Sequence, residues 1–364
     1  MDRTPQRREK LARTFKADRI EAFLVSSAAN VSYLSGFSGD DSTLLLTRNR
    51  AIVLSDGRYT TQLQQECPGL EHHIRQVGQL MVDAIAEVVD KIGVRRLGFE
   101  ASAMSVADFE ALQEKLPGVE WVGLKDRVEV LRAIKDKDEV AAIREAIGFA
   151  ERAFAMLRAG LRGTESEKDV ADALEGYLRR CGASAASFPP IVAVGRRSAL
   201  PHARPSPDVR IGEADFVLVD WGASGRPYKS DLTRVLVTGK VTPKFEKVYR
   251  TVLAAQERGI AAIRPGVIAR DVDAEARSVI EEAGFGRFFD HGLGHGLGMD
   301  IHEAPRLRRN SDVRLQPGMV VTVEPGIYLP DWGGIRIEDD VLVTPDGTEV
   351  LTHVPKSLDS VRVA

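Results

Sequence analysis

Four carboxylates in this chain stand where carboxylates are costly, inside or against apolar, strand-like runs. In "DFVLVDWGASGRPYKSDLTRVLVTG", Asp215 to Gly239, two such runs flank a turn-forming "SGRP" and carry Asp220 and Asp231. A turn centred on Gly225 and Arg226 makes the two aspartates direct cross-strand neighbours, with Cβ atoms about 4.5–5.5 Å apart. Like charges that close repel unless a cation lies between them. In "GMVVTVEPGIYLPDWGGIRIEDDVLVT", Gly318 to Thr344, Glu324 closes one apolar run and Glu338 another. Alternation turns Ile335 and Ile337 to one face and Arg336 and Glu338 to the other. Asp339 and Asp340 continue past Glu338 and are expected to be solvated. Imidazoles come from "DHGLGHGLGMDIHEAP", Asp290 to Pro305, which holds His291, His295 and His302 with glycine at 292, 294, 296 and 298. Those glycines are expected to adopt positive φ and to let the backbone approach a ligand. Mostly oxygen donors with one or two nitrogens suit Mn2+, Co2+ or Fe2+, with Zn2+ also open. Two divalent ions balance four carboxylates, and a pair about 3.5–4 Å apart sharing a water is the usual hydrolytic arrangement.

The elements that must hold these residues lie in the second part of the chain. A length of 364 residues exceeds what one hydrophobic core usually supports, so two domains are expected. From Arg19 to about Val128, β-rich runs such as "AIVLSDGRY" mix with helical ones such as "QLMVDAIAEVVDKIG", the pattern of a compact α/β unit. The charged "LRAIKDKDEV" then marks a break near Ala133. The expected domains are 1–132 and 133–364. Within the second, Gly163 to Gly182 echoes Gly266 to Gly284: a glycine, then Asp-Val opening an amphipathic helix, then a glycine at the stop. Two similar α/β halves with a site between them are one outcome of such an echo, and a chance match of two capped helices is another.

Composition narrows the function classes. With 43% hydrophobic residues, 28% charged residues and a net charge of -3, the chain carries no nucleic-acid or membrane footprint. Small or peptide-like partners are expected. No export signal or spanning segment is visible, so a cytoplasmic location is expected. Cys67 and Cys181 are too few for a disulfide framework and are read as two isolated buried thiols.

Taken together, "VLVDWGASGRPYKSDLTR", "HGLGHGLGMDIHEAP", "VTVEPGIY" and "GIRIEDDVLVT" resemble the pita-bread metallopeptidases, which include methionine aminopeptidase, prolidase and aminopeptidase P. The resemblance covers about Asp138 to Thr344. It implies an α/β chain whose catalytic domain is built of pseudo-symmetric halves, preceded by a creatinase/prolidase-type N-terminal α/β domain. It implies two divalent ions, Mn2+ foremost, on Asp220, Asp231, His295, Glu324 and Glu338. It makes Glu324 the residue that moves the water's proton and His302 the one that contacts the substrate carbonyl. His291 and His202 resemble supporting or substrate-contacting histidines, with structural roles the competing reading. Arg336 is expected to orient Glu338 and, with Tyr328, to line the substrate site.

"NVSYLSGFSGDDSTLLLT" with "LSDGRYTTQ" resembles the non-catalytic domain of the proline-specific branch, which implies a homodimer acting on peptides with proline in second position. The "DGRY" element favours an aminopeptidase of the P type. Arg306 in "HEAPRLRR" instead resembles a prolidase arginine that holds a dipeptide's carboxylate, so an Xaa-Pro dipeptidase stays open. A metal-free creatinase-like amidinohydrolase predicts gaps among the five ligand positions, and all five are filled here.

Overall fold

The computed structural model describes residues 3–363. The chain falls into two compact units, Met1–Arg132 and Ala133–Ala364. The first is a six-stranded sheet ordered β4-β3-β2-β1-β5-β6. Its strands are β1 (Ala22–Val25), β2 (Thr43–Thr47), β3 (Ala51–Asp56), β4 (Glu71–Arg75), β5 (Arg96–Glu100) and β6 (Glu120–Leu124). Helices α1 (Thr4–Asp18), α2 (Ala28–Ser35), α3 (Thr60–Glu66), α4 (Met81–Ile92) and α5 (Val106–Lys115) connect or cover it, and α6 (Glu129–Ala133) runs to the boundary. The spacing of α4 shows why it packs: Ala84, Ile85, Val88 and Val89 form one buried stripe. Gly93, in the left-handed region at φ 72°, then stops the helix.

The second unit repeats one motif. Its first half is α7 (Lys137–Gly160), α8 (Glu167–Arg180), β7 (Ala185–Ala186), β8 (Ile191–Val194), β9 (Phe216–Trp221), β10 (Ala223–Ser224) and β11 (Leu232–Val237). Its second is α9 (Pro243–Ala262), α10 (Ala269–Glu282), β12 (Gly294–Gly296), β13 (Glu303–Leu307), β14 (Val320–Val323), β15 (Gly326–Leu329), β16 (Gly333–Arg336), β17 (Asp339–Thr344) and β18 (Gly347–Val350). In each half two helices precede a sheet, ordered β11-β9-β8 in one and β13-β12-β14-β17-β18 in the other. The runs β8-β9-β11 and β12-β14-β17 correspond, and an isolated bridge, Thr233 to Glu338, joins the two sheets. The echoed segments are α8 and α10, each 14 residues long. Asp169 and Asp271 fall on the third helical residue of each rather than at the N-cap, which is Ser166 in α8 and Ile268 in α10. Ser166 and Asp169 bond reciprocally as a capping box.

Strand β9 is buried on both faces, between two clusters of the core. Val217, Val219 and Trp221 pack with α7 and α8, whereas Phe216 and Leu218 pack against α9, α10 and the second sheet. That parity carries Asp220 to the same side as Leu218. Among the described residues no helix is long and apolar enough to cross a membrane. Both cysteines are free, Cys67 buried but Cys181 only half-buried, a departure from two buried thiols.

Candidate metal and active site

The hairpin that carries the two aspartates is offset from the expected register. Asp220 pairs with Thr233, not Asp231, because the turn tip lies at Arg226 and Pro227, with Ser224 bridged to Lys229. The shift moves Asp231 two residues along its strand, and a shift of two preserves the face. Asp231 just before β11, His295 in the middle of β12 and Glu338 between β16 and β17 are then brought together, each buried. They offer ligand atoms that all lie within 4.8 Å of one another. Glu324, immediately after β14, approaches His295 Nε2 at 3.3 Å, and Asp231 lies 3.7 Å from the same nitrogen. Asp220 stands outside this group, and Arg336 Nη2 donates to its Oδ2 at 2.5 Å.

The imidazole is set by its backbone contacts. His295 Nδ1 lies 3.1 Å from the carbonyl of Gly296, and its own N–H donates to Thr322 Oγ1 at 3.0 Å. Thr322 donates in turn to Glu324 Oε1 at 3.1 Å, so one hydroxyl indexes both side chains. His295 Nε2 faces two carboxylates, an arrangement that positive charge, from a ring proton or a bound cation, must balance. Other features fit the same demand. The buried Asp220 Oδ1 has no hydrogen-bond partner. Burial, then the Glu338 and Asp220 charges, hold the Asp231 carboxyl well above the usual carboxylate range. Burial, then Glu324 and Asp220, do the same to Glu338. Burial also raises Asp220, against the pull of Arg336. Burial pushes Glu324 up too, but the His295 hydrogen bond and charge outweigh it and bring the carboxyl down to about 2. Four acids with one resident guanidinium are under-neutralised, and a donor set of carboxylates plus one imidazole fits divalent ions.

Arg336 reaches Glu338 through an intermediary. Its Nε donates to Thr233 Oγ1 at 3.1 Å, and it is Thr233 that donates to Glu338 Oε2, at 2.6 Å. Its Nη1 donates to Tyr328 Oη at 2.8 Å, which meets His291 Nε2 at 3.0 Å. His291 thus terminates a buried chain running from Asp220 through Arg336 and Tyr328. Asp339 and Asp340 are not solvated: they are 1% and 0% exposed. The reason is that β17 is an interior strand, paired with β14 and β18. Asp340 Oδ2 accepts the backbone N–H of Asp231 at 3.1 Å, and Asp339 accepts from Arg234 Nη2 at 2.7 Å. Arg234 also donates to the backbone carbonyl of Glu338 at 2.5 Å. Thr233, Arg234 and Asp340 were missed as site-supporting residues, although Thr233 lies two residues from Asp231 on the same face.

His302 is exposed, and its ring stands edge-on to His295 with centroids 4.4 Å apart. Burial, then the His295 and Arg306 charges, lower its pKa to about 4. Its neighbour Glu303 is tied to Lys135 Nζ at 2.9 Å. The glycines of this stretch do not adopt positive φ; they admit other backbone. A Cβ on Gly294 would lie 2.0 Å from the Thr322 carbonyl oxygen, and one on Gly296 would lie 2.1 Å from that of Ala304. At Gly294 and Gly296 the requirement is close packing of β12 between its neighbours, and Gly292 and Gly294 also line the cavity that holds the site.

All of the expected site residues line one cavity of about 1130 Å3, His202 and Arg306 among its exposed members and Tyr328 half-buried. The profile of metallopeptidase family M24 matches residues 141–345, and that of the creatinase/prolidase N-terminal domain matches residues 7–134. An Xaa-Pro dipeptidase from Bacillus anthracis has a similar structure at 38% identity, with 98% of this chain and 99% of that one covered and a TM-score of 0.93. An X-Pro aminopeptidase from Thermotoga maritima MSB8 is 36% identical over 95% of this chain and 99% of that one, with a TM-score of 0.87. The Xaa-Pro dipeptidase of Pyrococcus furiosus is 35% identical over 97% of this chain and 99% of its own length.

Proposed function

Because the chain belongs to metallopeptidase family M24, we propose that it is an Xaa-Pro aminopeptidase, which removes the first residue from peptides with proline in second position. The observation that carries this reading is the buried triad of Asp231, His295 and Glu338, whose ligand atoms lie within 4.8 Å of one another in the wall of a cavity of about 1130 Å3. Pockets of roughly 300–1,000 Å3 already hold drug-sized ligands, so there is room for chain beyond the proline. The triad, with Asp220 and Glu324, would hold two divalent ions, of which Mn2+ fits the donors best. Bound there, such ions supply an activated water and polarise the scissile carbonyl.

The chain's own residues divide the remaining work. Glu324, beside His295 in the cavity wall, accepts the proton of the attacking water and passes it to the leaving proline nitrogen. His302, neutral at physiological pH with a pKa lowered to about 4, keeps one ring N–H to donate to the carbonyl oxygen as charge develops there. Arg336 fixes Asp220 and, through Tyr328, the ring of His291, so that His291 and His202 present imidazoles to the substrate from the cavity wall.

A dipeptidase is the second reading, favoured by Arg306, whose exposed guanidinium lines the same cavity and suits a dipeptide's free carboxylate. Hydrolysis of Ala-Pro and Ala-Pro-Pro by the Mn2+-loaded protein separates the two. Release of alanine from the tripeptide is expected. Cleavage confined to the dipeptide overturns the aminopeptidase reading, and cleavage of neither overturns both.

A further inference from the structure

The cavity is stratified by charge. Asp220, Asp231 and Glu338 are buried, whereas Arg204, Arg287 and Arg308 are exposed on its wall. None of these three guanidinium groups is paired with a carboxylate among the described residues; Arg287 lies over the ring of Phe288, 4.6 Å from its centroid. What sets them apart is their gathering on one concave wall rather than scattered over a convex surface. Asp290 is the exposed acid lining this wall, so positive charge dominates it. Charge of one sign inside a concave, low-dielectric wall focuses its field on whatever enters.

A peptide whose first bond lies among the buried acids must send its later residues past this wall, since an extended chain advances about 3.3–3.6 Å per residue. Guanidinium forks match carboxylates in shape as well as charge. We propose that Arg204, Arg287 and Arg308 select peptides with an acidic side chain on the C-terminal side of the proline. The proposal rests on the Xaa-Pro reading for the position of the scissile bond, and it assigns a preference that reading leaves open. The preference should appear mainly in KM, because the arginines hold a side chain that takes no part in the bond being broken. It should weaken as ionic strength rises, since exposed charges are screened.

The test uses C-terminally amidated peptides, so that no terminal carboxylate competes: Ala-Pro-Glu-NH2, Ala-Pro-Gln-NH2 and Ala-Pro-Lys-NH2, with the full-length Mn2+-loaded protein. The glutamate peptide is expected to exceed the glutamine peptide about tenfold in kcat/KM, with the lysine peptide poorest. The ratio should fall towards one in R204Q/R287Q/R308Q, whose exposed substitutions leave the core intact. Equal kcat/KM for the glutamate and glutamine peptides, or an undiminished ratio in the triple variant, overturns the proposal. If only Ala-Pro is cleaved, the same peptides are read as inhibitors of that reaction. If nothing is cleaved, their binding is measured by calorimetry. Absent turnover then counts against the Xaa-Pro reading, and equal affinities count against the basic wall.

Discussion

Replacing Arg336 by methionine separates the two partners that Asp220 has in this reading, a guanidinium and a metal. Arg336 is 4% exposed and donates to Asp220 at 2.5 Å, to Tyr328 at 2.8 Å and to Thr233 at 3.1 Å. Methionine keeps an apolar stem and removes these bonds and a fourth, at 3.4 Å to the Pro201 carbonyl, yet only Asp220 is left with a buried, uncompensated charge. Breaking one side of a buried ion pair costs about 3–5 kcal/mol. At about 2–4 °C per kcal/mol for a domain of 150–250 residues, the unfolding midpoint should drop by roughly 6–20 °C. Asp220 Oδ1 has no hydrogen-bond partner among the described residues, so a divalent ion bound there would take over as countercharge. The loss in R336M should therefore be full in EDTA and shrink in Mn2+. Scanning calorimetry of wild type, R336M, D220N and D220N/R336M under both conditions closes the cycle. The double variant, with no charge left to strand, should recover most of what R336M loses in EDTA. An R336M loss that Mn2+ does not change, or a double variant no more stable than R336M, would refute the reasoning.

Two further outcomes follow from the same geometry. E324Q keeps the size of the side chain and a hydrogen bond to Thr322 but cannot take up a proton, so turnover of Xaa-Pro substrates should fall at least about 10²–10⁴-fold; a near-normal kcat would remove Glu324 from its role. D340N should stabilise the metal-free protein at neutral pH by about 1–3 kcal/mol, because it keeps an acceptor for the Asp231 N–H while removing a buried charge. The sign follows from burial, which raises the Asp340 carboxyl well above 3.8 in the folded state. Between the unfolded and folded values the native state holds a proton that the unfolded chain has released, so wild-type stability falls as pH rises through that window. Urea unfolding across pH should show D340N lacking this component of the slope, and equal slopes in the two proteins would contradict it.

The sequence made the positions of the acids legible, because a carboxylate inside an apolar strand is an anomaly that burial alone cannot explain. It made the repeat legible too, since the helices α8 and α10 are capped by glycines at matching places. Register was less accessible. "SGRP" allows more than one tip, and only the pairing of Ser224 with Lys229 fixes it at Arg226 and Pro227. Because the error was two residues, the face assignment survived it. The glycine stretch was misjudged for a different reason. Composition shows that small residues are needed but not whether space is claimed by a ligand, by positive φ or, as at Gly294 and Gly296, by neighbouring carbonyl oxygens.

Asp339 and Asp340 show how the same anomaly can be overlooked when it is assumed to mark a strand end. A strand interior to a sheet and covered on both faces has no solvated side, so alternation cannot place either aspartate in water. The complementary signal was present in "DLTRVLV": Arg234 is as anomalous in an apolar strand as Asp220 is in its own. A buried arginine requires an acid, and Asp339 meets it, with both side chains 1% exposed. Lys356, Gln256 and Thr352 complete the bonding of Asp339, so this carboxylate is fully satisfied inside the protein, whereas Asp220 keeps an unpartnered oxygen. Asp340 lies between the two, one oxygen accepting the Asp231 N–H and the other unpartnered, so a free oxygen marks a ligand only where it also lines the cavity, as that of Asp220 does.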